Sequence, residues 1–142
     1  MADKLEIYKT MLKAAQDGDN KSFLDWVTDD IEYHYHVTTR PLIGKEWVEK
    51  FLNKYSDICT DVDLQIYRHA ESEDCLFIEG YEEYTDQRTG DRVAHPFAGV
   101  VEFRDGKVCG WRDYFEMNNP KQDKAQEALA TLNKTSRWAN VT

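Results

Sequence analysis

The sequence predicts an α+β domain, in which a cone-like curved antiparallel sheet carries about three N-terminal helices on its concave face and a further helix follows at the C-terminus. Two observations support this fold class. Apolar residues recur at helical spacing as far as Tyr55, and long alternating segments separated by short turns follow from Asp61 onward. Helices that precede a run of long strands are typical of α+β architecture. With 142 residues the chain fits one domain, predicted to span residues 1–142, with 119–142 as a C-terminal helical tail.

Apolar spacing predicts three helices before most of the sheet. The first begins after a capping residue, Asp3, and ends at the Asp17-Gly18-Asp19 segment. Its inward positions are Leu5, Tyr8, Leu12 and Ala15. A short second helix is expected over residues 21–28, and the third follows a loop through Pro41 and Gly44. The apolar side of the third helix consists of Trp47, Val48, Phe51, Leu52 and Tyr55.

Strands are predicted where apolar and polar residues alternate. The first covers residues 31–37. Four longer strands follow at 61–69, 75–86, 92–104 and 107–117. Turns at Thr89-Gly90 and Asp105-Gly106 join the last three strands, so the four form an antiparallel meander. Pro120 is expected to open the C-terminal helix.

The composition narrows the range of partners and cofactors. Lys and Arg number 18 against 27 Asp and Glu, so the net charge is -9 and a phosphate backbone is repelled. No apolar run approaches the roughly 20 residues that span a bilayer, and the first residues carry mixed charges where a signal peptide is apolar. The cysteines are odd in number and unclustered, which favours reduced thiols over a zinc site. We therefore expect a cytoplasmic protein without a nucleic acid, membrane, metal or organic cofactor.

Alternation assigns each strand residue to one of two faces, and the apolar set of each strand marks the face turned toward the helices. The polar or phenolic residues in this inward set are Glu82, His95, Asp113, Tyr33, Tyr35 and Tyr84. Its apolar members include Phe97, Cys109, Trp111 and Phe115. His34 and His36 fall on the opposite face, where they fit a solvent-facing pair or, with a third ligand, a metal site.

The predicted turns also fix which inward residues face each other. A two-residue Thr89-Gly90 turn places Glu82 opposite Phe97, and a three-residue loop before Lys107 places Phe97 opposite Asp113. The two carboxyls then lie in one row, about 10 Å apart at the backbone. Burying an unpaired carboxyl costs several kcal/mol. Either the pair is tuned for acid and base catalysis, or both groups are structural plugs bonded to the backbone or to tyrosines.

A segment near the end of the sheet carries a family resemblance. Residues 110–116 read GWRDYFE and follow the Asp105-Gly106-Lys107 hairpin. This segment, together with helices followed by a curved sheet, resembles the nuclear transport factor 2-like superfamily. Within that superfamily it is most similar to limonene-1,2-epoxide hydrolase and the SnoaL-type polyketide cyclases. The resemblance covers roughly residues 3–118 and implies the cone fold.

The resemblance to the epoxide hydrolases also implies roles for single residues. Asp113 takes the place of the aspartate that deprotonates the attacking water, and Tyr33 that of the tyrosine that holds this water. Glu82 stands for the aspartate that protonates the epoxide oxygen, and Tyr35 for an asparagine of the first strand. Gly80 stands where the family has an arginine that bridges the two acids. In its absence His95 is a candidate proton donor, with a satisfied core histidine as the alternative.

These observations predict a cofactor-independent acid/base enzyme, whether hydrolase, isomerase, dehydratase or cyclase, that acts on a small apolar epoxide, polyketide or terpenoid. The alternative is a ligand-binding or adaptor domain of the same fold. Besides Asp113, Glu82, Tyr33 and His95, the expected pocket residues are Tyr35, Tyr84, Phe97, Trp111 and Phe115. The aromatic residues Trp26, Trp47 and Phe51 fit either a lid over this pocket or helix-to-sheet core.

The outer sheet face predicts a homodimer, because it carries aromatic residues and an arginine where a lone domain favours small polar residues. Its members are Tyr67, Tyr81, Val100, Arg112 and Tyr114. The alternative is that the C-terminal helix folds back over these side chains.

Overall fold

A computed structural model describes residues 3–37 and 39–115. Within these ranges the helices are α1 (Lys4–Gln16), α2 (Asn20–Leu24) and α3 (Lys45–Ile58). The strands are β1 (Val27–His34), β2 (Leu42–Ile43), β3 (Cys59–Glu71), β4 (Cys75–Asp86), β5 (Arg92–Arg104) and β6 (Lys107–Tyr114). None of the described helices is long and apolar enough to cross a bilayer. The predicted C-terminal tail lies outside the described residues.

The described strands form one curved, unclosed sheet in the order β2-β1-β6-β5-β4-β3, which confirms the predicted α+β class. Strands β3 to β6 pair antiparallel in succession, as the meander requires, whereas β1 pairs parallel with β6. The main core lies between the sheet and the helices. Its fully buried members include Met11, Ile31, Leu52, Val101 and Trp111.

Helix α1 has the predicted bounds, whereas α2 ends earlier than predicted and β1 both begins and ends earlier. The Asp3 carboxylate accepts a hydrogen bond from the Leu5 amide at 3.1 Å and caps α1. Helix α2 ends at Leu24, short of the predicted residue 28, because the Trp26 carbonyl accepts the amide of Val108 at 2.7 Å. This bond brings the chain into the sheet beside β6, so β1 starts at Val27 instead of Ile31.

The predicted outward orientation of His36 is wrong, because β1 ends before this residue. The strand stops at His34, so alternation no longer governs the following residues. His36 was predicted to face outward, but it is only 2% exposed. Its Nε2 lies 2.6 Å from the Phe115 carbonyl oxygen, and its ring packs edge-on against the Phe115 ring. His34 and His36 are therefore not a solvent-facing pair, and the described ranges contain no group of three residues suited to a metal ion.

The β4–β5 register differs from the prediction by two residues. The Asp86 amide bonds to the Asp91 carbonyl at 2.8 Å, which closes a four-residue loop in place of the predicted two-residue turn. Glu82 consequently pairs with His95, and Phe97 pairs with Gly80. A shift of two residues preserves the face of every side chain, so Glu82, His95 and Phe97 still point toward the helices.

The β5–β6 register also differs from the prediction by two residues. Asp105 and Gly106, with φ of 54° and 80°, form a two-residue turn, which is the geometry typical of a tight hairpin. A bulge at Cys109 follows, so the buried Val108 takes the inward position predicted for Cys109. Asp113 is then opposite Gly99 instead of Phe97. The predicted single row of Glu82, Phe97 and Asp113 is wrong, although both carboxyls remain on the inward face.

The outer face is partly buried within the chain itself. Tyr67 and Tyr81 form a small second cluster with Ala94 and are almost completely buried. They are therefore not part of a free surface in this fold. Phe77 and Tyr114 are exposed on the same face. The homodimer stays a prediction, and its alternative, a folded-back C-terminal helix, lies outside the described residues.

Candidate active site

Asp113 is the most deeply placed acid on the concave face. Its Oδ2 accepts a hydrogen bond from the Trp111 indole Nε1 at 3.2 Å. Its Oδ1 is shielded from solvent and accepts no hydrogen bond from the described part of the chain. A Cβ atom at the opposing Gly99 would lie 3.2 Å from this oxygen, so a glycine there leaves the carboxyl its room. A buried carboxyl oxygen without a donor is a place where water or a substrate hydroxyl can bind.

The surroundings of Asp113 favour its protonated form. Burial is the main cause, and it raises the pKa of Asp113 to about 8. The hydrogen bond from Trp111 lowers this pKa, since an N–H donor stabilises the carboxylate, and the charge of Glu82 raises it. The Asp113 carboxyl therefore changes its charge near neutral pH, where an acid/base catalyst is most effective.

Glu82 lies on β4 and is the second inward acid. Burial raises its pKa to about 7. Its side chain nevertheless remains 21% exposed, so a ligand on the concave side can reach it. The Oε1 atom lies 3.8 Å from Nε2 of His95, its partner across the strand pair. Glu82 thus combines an apolar environment with a basic nitrogen close to its carboxyl.

His95 is 9% exposed, and its Nδ1 atom has a hydrogen-bond partner in the described part of the chain. Its Nδ1 lies 3.3 Å from the Pro96 carbonyl oxygen, which assigns the Nδ1–H tautomer to the neutral ring. Nε2 then carries the lone pair, on the side of Glu82. Burial is the main reason that the pKa of His95 is lowered, and the nearby His36 lowers it further. The ring also stacks on Phe115 with centroids 4.4 Å apart.

An aromatic wall of Tyr33, Phe51 and Trp111 lies close to the two acids. Tyr33 lies 5.5 Å from the Trp111 ring and 5.3 Å from the Phe51 ring, measured between centroids. Burial, followed by the charge of Asp113, raises the pKa of Tyr33 well above its usual value. Its hydroxyl is therefore neutral across the physiological range and able to donate a hydrogen bond.

The remaining predicted pocket residues occupy different places. Phe97 and Trp111 lie in the core beside the acids. Tyr84 is two positions beyond Glu82 on β4, and burial raises its pKa to about 12. Tyr35 has left the strand and stacks on Phe51 at 5.0 Å. Phe115 lies between the rings of His36 and His95, with both centroids at 4.4 Å.

The three aromatic residues that fitted either a lid or the helix-to-sheet core, Trp26, Trp47 and Phe51, lie in two different environments. Trp26 and Phe51 pack against the main core. Trp47 is 54% exposed on α3, with the Lys50 ammonium 4.4 Å from its ring centroid. The core interpretation therefore holds for the first two and not for Trp47.

A family model described as a SnoaL-like domain matches residues 8–111, which is more than half of the chain. The chain belongs to the SnoaL-like family. Solved structures of similar fold include an LEH-like epoxide hydrolase from M. tuberculosis, with 20% identity and a TM-score of 0.71 over 89% of this chain and 91% of that one. A putative SnoaL-like polyketide cyclase from Shewanella putrefaciens has 14% identity and a TM-score of 0.73, over 90% of this chain and 87% of that one.

A third structure is that of SalBIII, which is described as an epoxide hydrolase/cyclase-like enzyme with a role in pyran ring formation in the polyether salinomycin. It shares 15% identity and a TM-score of 0.70, over 80% of this chain and 90% of that one. TM-scores of this size establish the cone fold of the SnoaL-like domain, as the resemblance implied, and identities this low establish the fold alone. The reaction depends on the site residues of the chain itself.

Two tyrosines near the acids in this SnoaL-like domain were not predicted as site residues. Tyr8 and Tyr55 were assigned to the apolar sides of their helices. The charges of Asp113 and Glu82 contribute to the raised pKa of both hydroxyls, after the larger effect of burial. Helical periodicity indicates only that a residue faces inward, so the signal that could have identified these two residues was a hydroxyl group among positions that are otherwise apolar.

A steric constraint explains why this SnoaL-like chain has a glycine at residue 80, where the epoxide hydrolases have an arginine. A Cβ atom there would overlap the Gln65 backbone carbonyl oxygen and would lie 2.9 Å from Cε1 of the Phe97 ring. A bulge between Ile66 and Arg68 accompanies this close approach of β3. Phe97 therefore occupies the space beside Gly80, and among the described residues no arginine or lysine charge contributes to the pKa of Asp113 or Glu82.

Gly80→Arg is accordingly expected to destabilise the fold instead of restoring a family site. Overpacking costs roughly 1 to 3 kcal/mol, and contact with a backbone oxygen relaxes poorly. Chemical denaturation of Gly80→Ala and Gly80→Arg measures the loss. Gly110→Ala is the matched control, because a Cβ there meets only the flexible Glu102 side chain at 3.4 Å. A Gly80→Arg protein as stable as the wild type would contradict the assignment of this space to Phe97.

Proposed function

We propose that this SnoaL-like protein is an acid/base enzyme that opens an epoxide of a small apolar molecule with water. The observation that carries the proposal is the inward carboxyl pair, in which both pKa values are raised and one Asp113 oxygen has no donor within residues 3–37 and 39–115. An unpartnered buried oxygen is costly to stability, so a binding role accounts for it better than a structural plug does.

The hydrogen bonds favour Asp113 as the base and Glu82 as the acid. Trp111 donates to Asp113 and thereby stabilises its carboxylate. The lone pair of His95 Nε2 faces Glu82 and favours the protonated carboxyl, because only that form can donate to it. The pKa of Asp113, about 8, is higher than that of Glu82, about 7, but the order of proton loss in such a pair belongs to both groups together. The singly protonated pair is the active form.

The proposed reaction balances its protons within this pair. The water oxygen forms a bond to an epoxide carbon while its proton moves to Asp113 Oδ1. The carbon–oxygen bond of the ring breaks, and the released oxygen takes the proton of Glu82, which gives a vicinal diol. Tyr33 positions the water through its hydroxyl. Asp113 is then protonated and Glu82 ionised, and exchange with solvent restores the first state.

Solved structures of related fold support this class of reaction. One is described as an epoxide hydrolase and another as an epoxide hydrolase/cyclase-like enzyme. The aromatic wall of the concave face suits an apolar substrate. Within the described part of the chain no arginine charge acts on either acid, which favours an acid that keeps its proton near neutral pH.

We expect a bell-shaped dependence of kcat/KM on pH, with its maximum between the pKa values of about 7 and about 8 of the pair. At lower pH Asp113 is protonated and cannot accept a proton, and at higher pH Glu82 has none to donate. Diol formation from limonene oxide and styrene oxide, followed by chiral gas chromatography, measures the profile.

Enones and β-hydroxy ketones complete the substrate panel. Turnover of these compounds with no diol from any epoxide would shift the assignment to an isomerase or dehydratase. Folded protein that binds members of the panel and converts none would favour the ligand-binding alternative.

A further inference from the structure

A groove of about 480 Å³ lies between α1 and the edge strand β3, next to Glu82, the cross-strand partner of its lining residue Leu64, but lined by neither acid. Its apolar lining comes from both elements: Leu5, Leu12, Leu64 and Ile66. Lys9, Lys13, Gln16 and His69 supply the polar part. Its volume falls within the usual range for small-molecule sites.

The groove arises from two simple periodicities. Leu5, Lys9 and Leu12 recur at helical spacing and form one stripe of α1, while Tyr8 and Met11 face the main core. Leu64 and Ile66 alternate on the inward side of β3, which has no partner strand beyond it among the described residues. The stripe and the strand therefore face each other across an open edge of the sheet.

The charge of the groove is opposite to that of the protein. Two lysines project from its helical side, although the whole chain has a net charge of -9. Lys13 pairs with Asp17 at 3.1 Å, whereas Lys9 has no ion-pair partner among the described residues. A cationic rim above an aliphatic floor suits an amphipathic anion, and it repels a cation.

The floor of the groove continues to the acid site. Leu64 is the cross-strand partner of Glu82, and Ile66 is the partner of Gly80. Cross-strand partners lie about 5 Å apart and share a face of the sheet, so a ligand lying on Leu64 is next to Glu82.

We infer that the substrate is an apolar molecule with one anionic group, which Lys9 and Lys13 bind while the apolar body passes over Leu64 to the two acids. This inference rests on the proposed function for the position of the reacting end. The anionic group stays at the rim, so it does not enter the apolar interior, where a further negative charge would oppose ionisation of Asp113.

Binding of short probes tests the groove without requiring turnover. Titration calorimetry compares octanoate, octyl sulfate and octanol on Asp113→Asn protein, which keeps the groove intact. Both anions are expected to bind roughly tenfold more tightly than octanol at low salt, with the difference falling as salt is added. The tighter of the two identifies a carboxylate or a sulfate-like group. Equal affinity for octanol and both anions would overturn the inference.

Substitutions locate the anion site. In Lys9→Glu/Lys13→Glu protein the advantage of the anions over octanol should disappear. The control Lys54→Glu/Lys107→Glu makes the same charge change at two exposed positions outside the groove and should retain it. Melting temperatures verify that both variants are folded. An equal loss in both variants would show a general charge effect and would also overturn the site.

Turnover separates this inference from the proposed function. An epoxyalkanoate with the epoxide at the far end of its chain is expected to show roughly tenfold higher kcat/KM than its methyl ester. In Lys9→Glu/Lys13→Glu protein the two values should become similar. Octanoate binding without any epoxide turnover would refute the function and leave the groove in place. Epoxide turnover with an acid-to-ester ratio near one would refute only the groove.

Discussion

Asp113→Asn is expected to lower kcat by roughly 10² to 10⁴-fold, the range for loss of a general base. The amide keeps the shape of the carboxyl, and its oxygen can still accept the hydrogen bond from Trp111 Nε1. It has no basic oxygen for the water proton, so chemistry should fail while substrate binding persists. Single-turnover measurements with an epoxide, together with ligand titration, separate the two effects.

The same substitution should stabilise the protein, and increasingly so as the pH rises. In the folded state the pKa of Asp113 is raised to about 8, far above the value of an exposed aspartate. Between these two values the folded state holds more protons than the unfolded state, so the wild type loses stability as the pH increases through this window. The asparagine does not titrate. Its melting-temperature advantage should therefore grow from about pH 5 to about pH 8.

Asp105→Asn is the matched control for both measurements. It makes the same chemical change on the exposed turn before β6, at a φ of 54° that asparagine accepts. It should alter neither the rate nor the pH dependence of stability. A structural plug at Asp113 would give the opposite pattern, with Asp113→Asn less stable than the wild type and activity merely following the folded fraction.

The sequence predicted which side chains face the helices, because alternation depends only on each strand being continuous. Strands β4 and β5 have the predicted bounds, and Asp113 and Glu82 are inward as expected. Which residues pair across two neighbouring strands depends on the loop length and on bulges, and the local sequence indicates both of these only weakly. The bond between the Asp86 amide and the Asp91 carbonyl, and the bulge at Cys109, each moved a register that turn residues alone had indicated differently.

The orientation of residues just beyond the end of a strand was not predicted correctly, because alternation applies only within the strand. His36 turns inward because β1 stops two residues before it and the Phe115 carbonyl lies within hydrogen-bonding distance. The steric cause of Gly80 also required the fold, since it lies in the neighbouring β3 backbone and in the Phe97 ring. Sequence resemblance indicated that the arginine was missing, and the packing explains why a side chain cannot return there.

Glu82→Gln removes the acid and should leave a distinctive pH profile. The amide can still donate a hydrogen bond toward His95 Nε2, so the fold is expected to persist, but it cannot protonate the released oxygen. We expect kcat to fall by roughly 10² to 10⁴-fold on unactivated epoxides, in the range for loss of a general acid. The alkaline decline should vanish, because that limb reports the loss of the Glu82 proton.

The acidic limb of Glu82→Gln should remain. It reports the ionisation of Asp113, and Glu82 is uncharged in the singly protonated active pair, so the substitution removes no charge from beside Asp113 on this limb. Residual rates measured from about pH 5 to about pH 10 separate the limb that is kept from the limb that is lost. Glu79→Gln, on the exposed side of the same strand, is the matched control and should retain the full bell. An alkaline limb that survives in Glu82→Gln would assign the proton donor to another group, with His95 the nearest candidate at 3.8 Å.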